Sequence, residues 1–239
     1  MSDKSLETEN KRLQSELELA KKELADFIYL ASHELRSPVN AIANLTTWVL
    51  EDIGLNIDEE SQTNLMLINS RAERLQQMIT DLLMYSRVGK HSEAYSDFDF
   101  NEAVVYCVEQ FDAHRFKFDI DSGRVTLPRT LFNQVINILI SNAVKHHPNK
   151  CGCIKVHYEK QANMYRIFIE DDGCGIPIKN QDIIFEQFQT LRARDEVEGS
   201  GMGLAIGKKI LEHQGGKITV ESDGKAGATF ICHWPSNGC

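Results

Sequence analysis

The sequence predicts an α-helical hairpin that forms a four-helix bundle as a dimer, followed by an α+β sandwich domain. Three observations carry this. Residues 1–26 hold neither glycine nor proline, and up to about residue 88 apolar residues recur at the three-and-four spacing of amphipathic helices. A polar stretch, Gly89 to Ser96 (GKHSEAYS), then breaks the pattern. Beyond it, short strand patterns alternate with helical ones, as in a layered α+β domain. A chain of 239 residues is long enough for two such cores.

The first element is a heptad seam. With Leu6, Leu13, Ala20 and Phe27 at d, the residues Asn10, Leu17, Leu24 and Ala31 fall at a. The asparagine at a favours two strands in one register. The seam runs straight into FIYLASHELRSPVNAI, where Phe27, Leu30, Ala31, Leu35, Val39 and Ile42 continue the apolar stripe. His33 lies off the stripe, at heptad position c, and is expected to face solvent. Ser37 follows one turn later on the same face. Pro38 removes the hydrogen bond to the carbonyl of Glu34, so a kink is expected just past the histidine. This helix is expected to run to about Asp52. Glu51 to Asp58 reads as a turn, with Asn56 and Glu59 as a helix start. A second helix over roughly 58–88 carries Leu65, Ile68, Leu75, Met78, Ile79, Leu82 and Leu83. One hairpin cannot bury both stripes, whereas two can, as a four-helix bundle.

After the linker, Phe98–Phe100, Arg115–Ile120 and Arg124–Leu127 read as strands, with a helix from about Glu102 to Phe111. Pro128 suits the first position of a helix over 128–146. Cys153–Glu159 and Tyr165–Asp171 read as a hairpin pair. Helices near 180–187 and 202–213, then strands Lys217–Ser222 and Thr229–Trp234, complete the chain.

Composition excludes several classes. Lys plus Arg is 26 against 35 Asp plus Glu, a formal charge of -9, which argues against nucleic acid or anionic lipid as the main partner. No apolar run is long enough to span a membrane, and the charged opening MSDKSLETENKRLQ does not read as a secretory signal. There are 6 cysteines and no Cys-x-x-Cys pair. Cys151-Gly-Cys153 near His146 and His147 lacks zinc-finger spacing. Reduced thiols in a cytoplasmic protein are expected.

Three stretches of the second domain carry chemistry. In RTLFNQVINILISNAVKHH, Phe132, Val135, Ile136, Leu139 and Ala143 form a core face. Gln134, Ile138, Asn142, Lys145 and His146 lie on another. Asn142 offers a hard amide oxygen to Mg2+ and Lys145 a positive charge to phosphate. In YRIFIEDDGCGIP, an apolar strand delivers Asp171 to a turn containing Gly173, Gly175 and Ile176. A carboxylate there can accept the exocyclic amine of adenine, which guanine does not offer in the same place. Gly175 is expected to let the backbone approach the base closely. In EGSGMGLAI, the residues Gly199, Ser200, Gly201, Met202, Gly203 and Leu204 open a helix whose free amides suit phosphate. The P-loop pattern is absent, since no Gly-Lys-Ser/Thr follows.

SHELRSPV (Ser32 to Val39) resembles the H-box of the sensor histidine kinases of two-component systems, and DLLMYSRV (Asp81 to Val88) resembles the end of their dimerisation domain. The asparagine helix, the D-x-G-x-G turn, IFEQF (Ile184 to Phe188) and the glycine run resemble, in that order, the N, G1, F and G2 boxes of their gyrase-like ATP-binding domain. The tail HQGGKITVESDGKAGATF resembles its last strands. The resemblance covers about residues 25–235. It implies a coiled-coil signalling helix over 1–26, a dimerisation and histidine phosphotransfer domain over 27–88, a linker over 89–96 and an ATP-binding catalytic domain over 97–239. It implies ATP and Mg2+ as cofactors, a homodimer, and a response-regulator receiver domain as partner. His33 is then the phosphoacceptor and Glu34 its orienting base, with Ser37 at the phosphatase position. Asn142 is the metal ligand. Nucleotide contacts fall to Asn142, Lys145, His146, Asp171, Gly173, Gly175, Ile176, Gly199, Ser200, Gly201, Met202, Gly203, Leu204 and Thr229. Two positions depart from the pattern. Ile138 stands where the family has a second asparagine, and Ser37 where its phosphatase signature has Thr or Asn. Ile138 also removes the general base of a gyrase-type hydrolase, and it supports the alternative of a nucleotide-binding pseudokinase acting as scaffold or phosphatase.

Overall fold

The computed structural model describes residues 2–53, 57–90, 93–190 and 199–236. The chain divides into two compact units, Met1–Arg87 and Val88–Cys239.

The first unit is a helical hairpin. Helix α1 (Ser2–Ile53) is continuous through Pro38, so the proline does not break it. Helix α2 (Glu59–Arg87) opens on Asp58, whose carboxylate accepts the Ser61 N–H at 2.9 Å and the Ser61 hydroxyl at 2.7 Å. Those two donors hold the Asp58 carboxyl below the ordinary carboxylate range. Asp58 is therefore the cap, and the expected start at Asn56 lies outside the described residues, as do 54 and 55. The helices run antiparallel. Arg87 stacks over Tyr29, Gln76 donates to Asn40 at 2.9 Å, and Thr46 donates to Asn69 at 3.2 Å. Val39, Ala72 and Ile79 form a small buried cluster with Ala43 against it. Much of the stripe stays uncovered within one chain: Leu13, Leu17, Leu24, Phe27, Leu30, Leu35 and Ile42 are exposed. Among the described residues, no helix is long and apolar enough to cross a membrane.

The second unit has a two-stranded antiparallel ribbon, β1 (Ser96–Asp99) with β3 (Arg124–Leu127), and a five-stranded sheet. The sheet holds β2 (Phe116–Ile120), β4 (Gly152–Gln161), β5 (Met164–Asp171), β6 (Lys217–Glu221) and β7 (Ala228–Pro235), in the order β2-β4-β5-β7-β6. Among the described residues, only β2 and β4 pair in parallel. Helices α3 (Phe100–Val108), α4 (Arg129–His146) and α5 (Gly203–His213) supply the other layer. Period-two alternation makes the core. Tyr165, Ile167 and Ile169 on β5, with Phe230, Cys232 and Trp234 opposite them on β7, are all buried. Phe132 of α4 meets both Trp234 and Phe100. Burial pushes the Cys107 thiol up to about 12 and raises that of Cys232 further, so neither is a nucleophile at neutral pH.

Several elements differ from expectation. Phe100 begins α3 instead of ending β1, because the Asp99 side chain accepts the Glu102 N–H at 2.9 Å and caps the helix early. Pro128 sits one place before α4, its carbonyl taking the Phe132 N–H at 2.9 Å. The helix expected near 180–187 is instead two 3₁₀ turns, Ile178–Asn180 and Ile183–Phe185. Gln181 explains the break: its side chain donates to the carbonyls of Ile176 and Ser222. Phe188 then takes a left-handed φ of 61°, which a continuing helix does not permit.

Candidate functional site

In the first unit the site is one turn of α1. The His33 side chain is 70% exposed and that of Glu34 82%, and Nδ1 of the ring lies 3.4 Å from Oε1 of the carboxylate. Ser32 and Val39, on the inward faces, are buried, so helical phase alone turns His33 outward. Ser37 is exposed one turn on.

The second unit gathers its polar groups from α4, the end of β5 and the start of α5. On α4, Asn142 is half-buried and Lys145 and His146 are exposed. Ile138 marks where α4 meets α5: a Cβ placed on Gly203 would lie 3.4 Å from its Cγ2. The glycine helix thus begins against the same face of α4 that presents Asn142 one turn further on.

Asp171 is the last residue of β5 and stands on the core face of the sheet, directly opposite Ala228. Its carboxylate accepts the Gly173 N–H at 2.9 Å. Burial raises its pKa above the ordinary carboxylate range, partly offset by that N–H and by His147. A Cβ on Gly173 would meet Asp171 Oδ1 at 2.7 Å, so this bond requires glycine there. The turn is tied down from the other side. Gly227 N–H donates to the Gly173 carbonyl at 2.7 Å, and Ile176 N–H to the Ser222 hydroxyl at 2.9 Å. Ser222, which no sequence pattern singles out, in turn donates to the Gly227 carbonyl at 2.7 Å.

One glycine gains a structural reason here, and one expectation is corrected. Gly175 has φ 71°, and a Cβ on it would lie 3.0 Å from the backbone nitrogen of Lys225. The close approach it permits is to its own chain at 225–226. Thr229 pairs with Glu170, and alternation along β7 puts it on the sheet face opposite to Asp171. The residue brought to Asp171 is Ala228, so Thr229 is not part of this cluster.

At the start of α5, Gly199 has φ 154°, and no described atom lies within 4 Å of a Cβ placed on it; residues 191–198 lie outside the described residues. Gly201 has φ 74° and packs on the backbone of 188–189, where a Cβ would meet the Gln189 carbonyl at 2.8 Å. Ser200 is buried and its hydroxyl accepts the Met202 N–H at 3.0 Å. Met202 is fully buried, so its side chain is closed to any ligand; Leu204 is half-buried. Among the described residues no side chain caps α5, which leaves its first amides and dipole available to an anion. Sequence reading also missed His147 and Asp172, whose pairing at 3.1 Å adjoins Asp171.

This architecture is that of a known family. Residues 23–90 match the His Kinase A (phospho-acceptor) domain, and residues 128–238 match the histidine kinase-, DNA gyrase B-, and HSP90-like ATPase. The chain belongs to the sensor histidine kinases. It is 33% identical over 237 residues to cyanobacterial phytochrome B of Nostoc sp., covering 92% of this chain and 30% of that protein. It is 29% identical to the alginate biosynthesis sensor protein KinB of Pseudomonas aeruginosa, over 88% of this chain and 37% of that one. Its fold is similar to that of the Acinetobacter baumannii histidine kinase AdeS, with TM-score 0.60 and 25% identity over 86% of this chain and 98% of that one. The chain thus spans well under half the length of the curated relatives it matches.

Proposed function

We propose that this chain is a catalytically active, homodimeric histidine kinase core. In this reading His33 takes the γ-phosphoryl group of ATP and passes it to an aspartate of a response-regulator receiver domain, in the cytoplasm. The observation that carries the proposal is the outward His33 imidazole with Glu34 3.4 Å from Nδ1, in a chain that also holds the ATPase-type domain.

Glu34 accepts the Nδ1 proton, which leaves the Nε2 lone pair free and more basic. Nε2 forms the new N–P bond while the bond from the γ-phosphorus to the bridging oxygen breaks, and ADP leaves with that electron pair. Asp171 holds the adenine amine, and the open amides of α5 with Lys145 hold phosphate oxygens. Asn142 fits Mg2+: it supplies one neutral oxygen, and Mg2+ commonly takes its remaining positions from phosphates and water. When bound, the ion neutralises charge on the phosphates. The exposed apolar stripe on α1 supports the homodimer. The histidine kinase ThkA, a fold neighbour with TM-score 0.61 and 22% identity, has been solved with the response regulator TrrA, which supports the choice of partner.

Ile138 favours a second reading, a nucleotide-binding pseudokinase, because it offers no donor or acceptor beside Asn142. Incubation with γ-labelled ATP separates the two. The kinase reading expects label that is lost in acid and kept in base, as a phosphoramidate behaves. Acid-stable label, or nucleotide binding without any label, overturns it.

A further inference from the structure

His147 is the residue on which α4 ends. It precedes Pro148, and a residue before proline is pushed out of the helical region; here it adopts φ -68° and ψ 126°. The ring turns inward, leaving the side chain 4% exposed and edge-on to Phe116, 5.4 Å between centroids. Its Nδ1 accepts the Asn149 N–H at 3.3 Å, which places the ring proton on Nε2. Nε2 donates to Oδ1 of Asp172 at 3.1 Å, and the same oxygen accepts the Cys153 N–H at 2.8 Å.

The surroundings are shaped for this pair. A Cβ on Gly152 would meet Asp172 Oδ1 at 2.4 Å and His147 Nε2 at 2.6 Å, so only glycine leaves room. A Cβ on Gly173 would lie 2.7 Å from Asp171 Oδ1 and 3.6 Å from His147 Cδ2, so ring and carboxylate flank the same small space. The ring therefore joins the end of α4, the start of β4 and the turn after β5. Asp172 is covalently next to Asp171, and two donors fix its carboxylate. Fixing Asp172 fixes the backbone from which the Asp171 carboxylate projects.

We propose that His147 is a positioning residue for base recognition: through Asp172 it holds the 171–173 turn in the shape that presents Asp171 to an adenine amine, and so sets the preference for ATP over GTP. This rests on the nucleotide reading above. Removing the Nε2–H takes away one of the two donors on the Asp172 carboxylate and leaves the turn free to shift. The cost falls on the ligand whose amine Asp171 reads, and a guanine base has none to lose there.

The test is equilibrium binding of ATP and of GTP to the full chain in Mg2+ buffer. His147→Phe keeps a ring against Phe116 but removes the donor; ATP affinity is expected to fall about tenfold and GTP affinity less than about twofold. His147→Gln returns a donor and is expected to recover most of the ATP-to-GTP ratio. Asp172→Ala, at a side chain 56% exposed, removes the acceptor without disturbing the core and is expected to reproduce His147→Phe, even where that variant folds poorly. Equal losses for ATP and GTP, no recovery with Gln, or an unchanged ratio in Asp172→Ala overturns the proposal. A parent chain that binds no ATP overturns the nucleotide reading itself, and this inference with it.

Discussion

The two units solve the burial problem differently. In residues 88–239, a sheet and three helices cover each other, and Phe100, Phe132, Leu139, Ile140 and Trp234 have essentially no exposed surface. In residues 1–87, two helices cannot enclose their own stripe, and Leu30 is 62% exposed in a single chain. Their sites differ in the same way. Asp171 is held by a turn that hydrogen bonds from residues 222 and 227 tie down, whereas His33 is placed by helical phase alone. A self-contained layer domain brings side chains from several elements together. A lone hairpin displays one imidazole on a rod and leaves much of its apolar stripe uncovered.

The sharpest test of this division is to disable one unit at a time. His33→Gln is expected to abolish phosphoryl labelling with nucleotide affinity unchanged. Asn142→Ala is expected to lose both label and Mg-nucleotide affinity. Mixing the two variants asks whether transfer crosses the dimer. Recovered label means trans, and none after proven subunit exchange means cis. Label persisting on His33→Gln removes His33 from its role.

Stability separates the units next. Phe132→Ala, in the closed core, is expected to cost about 3–5 kcal/mol at any protein concentration. Leu30→Glu is expected to leave the second unit's unfolding unchanged but to convert a dimer to a monomer by light scattering. Concentration-independent stability of the parent's first unit breaks the comparison.

Smaller effects probe the pocket. Ile138→Asn returns a polar neighbour beside Asn142 and is expected to raise Mg-ATP affinity or labelling rate about two- to fivefold, an effect of about 1 kcal/mol or less. An unchanged variant means that Ile138 costs nothing. The mildest effect is on pH. Asp171 has a raised pKa from burial, and in its proposed role it accepts the adenine amine most strongly when ionised. ATP affinity is therefore expected to decline on acidification before ordinary carboxylates titrate, with Asp171→Asn flattening that limb. The sign for stability is opposite. A carboxyl whose folded pKa is raised binds its proton more tightly when folded, so its contribution is lost as pH rises from the unfolded to the folded value.

What could be read from the sequence was what local spacing encodes. The stripe from Phe27 to Ile42 and the core face of α4 follow from period alone, and both helices form. The capping by Asp99 was less visible, because Phe98 and Phe100 alternate as well in a strand as across a strand end. Thr229 shows a deeper limit. Its side of the sheet depends on pairing with Glu170, a register no single stretch contains. The His147–Asp172 contact joins residues 25 apart in sequence, and its local trace was only the His-Pro dipeptide. Gly152 and Ser222 gave no trace at all, since their roles exist only once three elements meet.

Helix α1 has a mechanical consequence. Its 52 residues make a rod about 78 Å long, with one built-in missing hydrogen bond, at Pro38. That soft joint lies beyond His33, about 7.5 Å further along the axis. Torque entering at the amino-terminal end therefore reaches the imidazole through unbroken helix before it meets any compliance. The histidine is stiffly geared to the turns on its amino-terminal side and loosely geared to those past the proline. A small rotation upstream is thus expected to turn the imidazole more directly than it turns the helix beyond the proline.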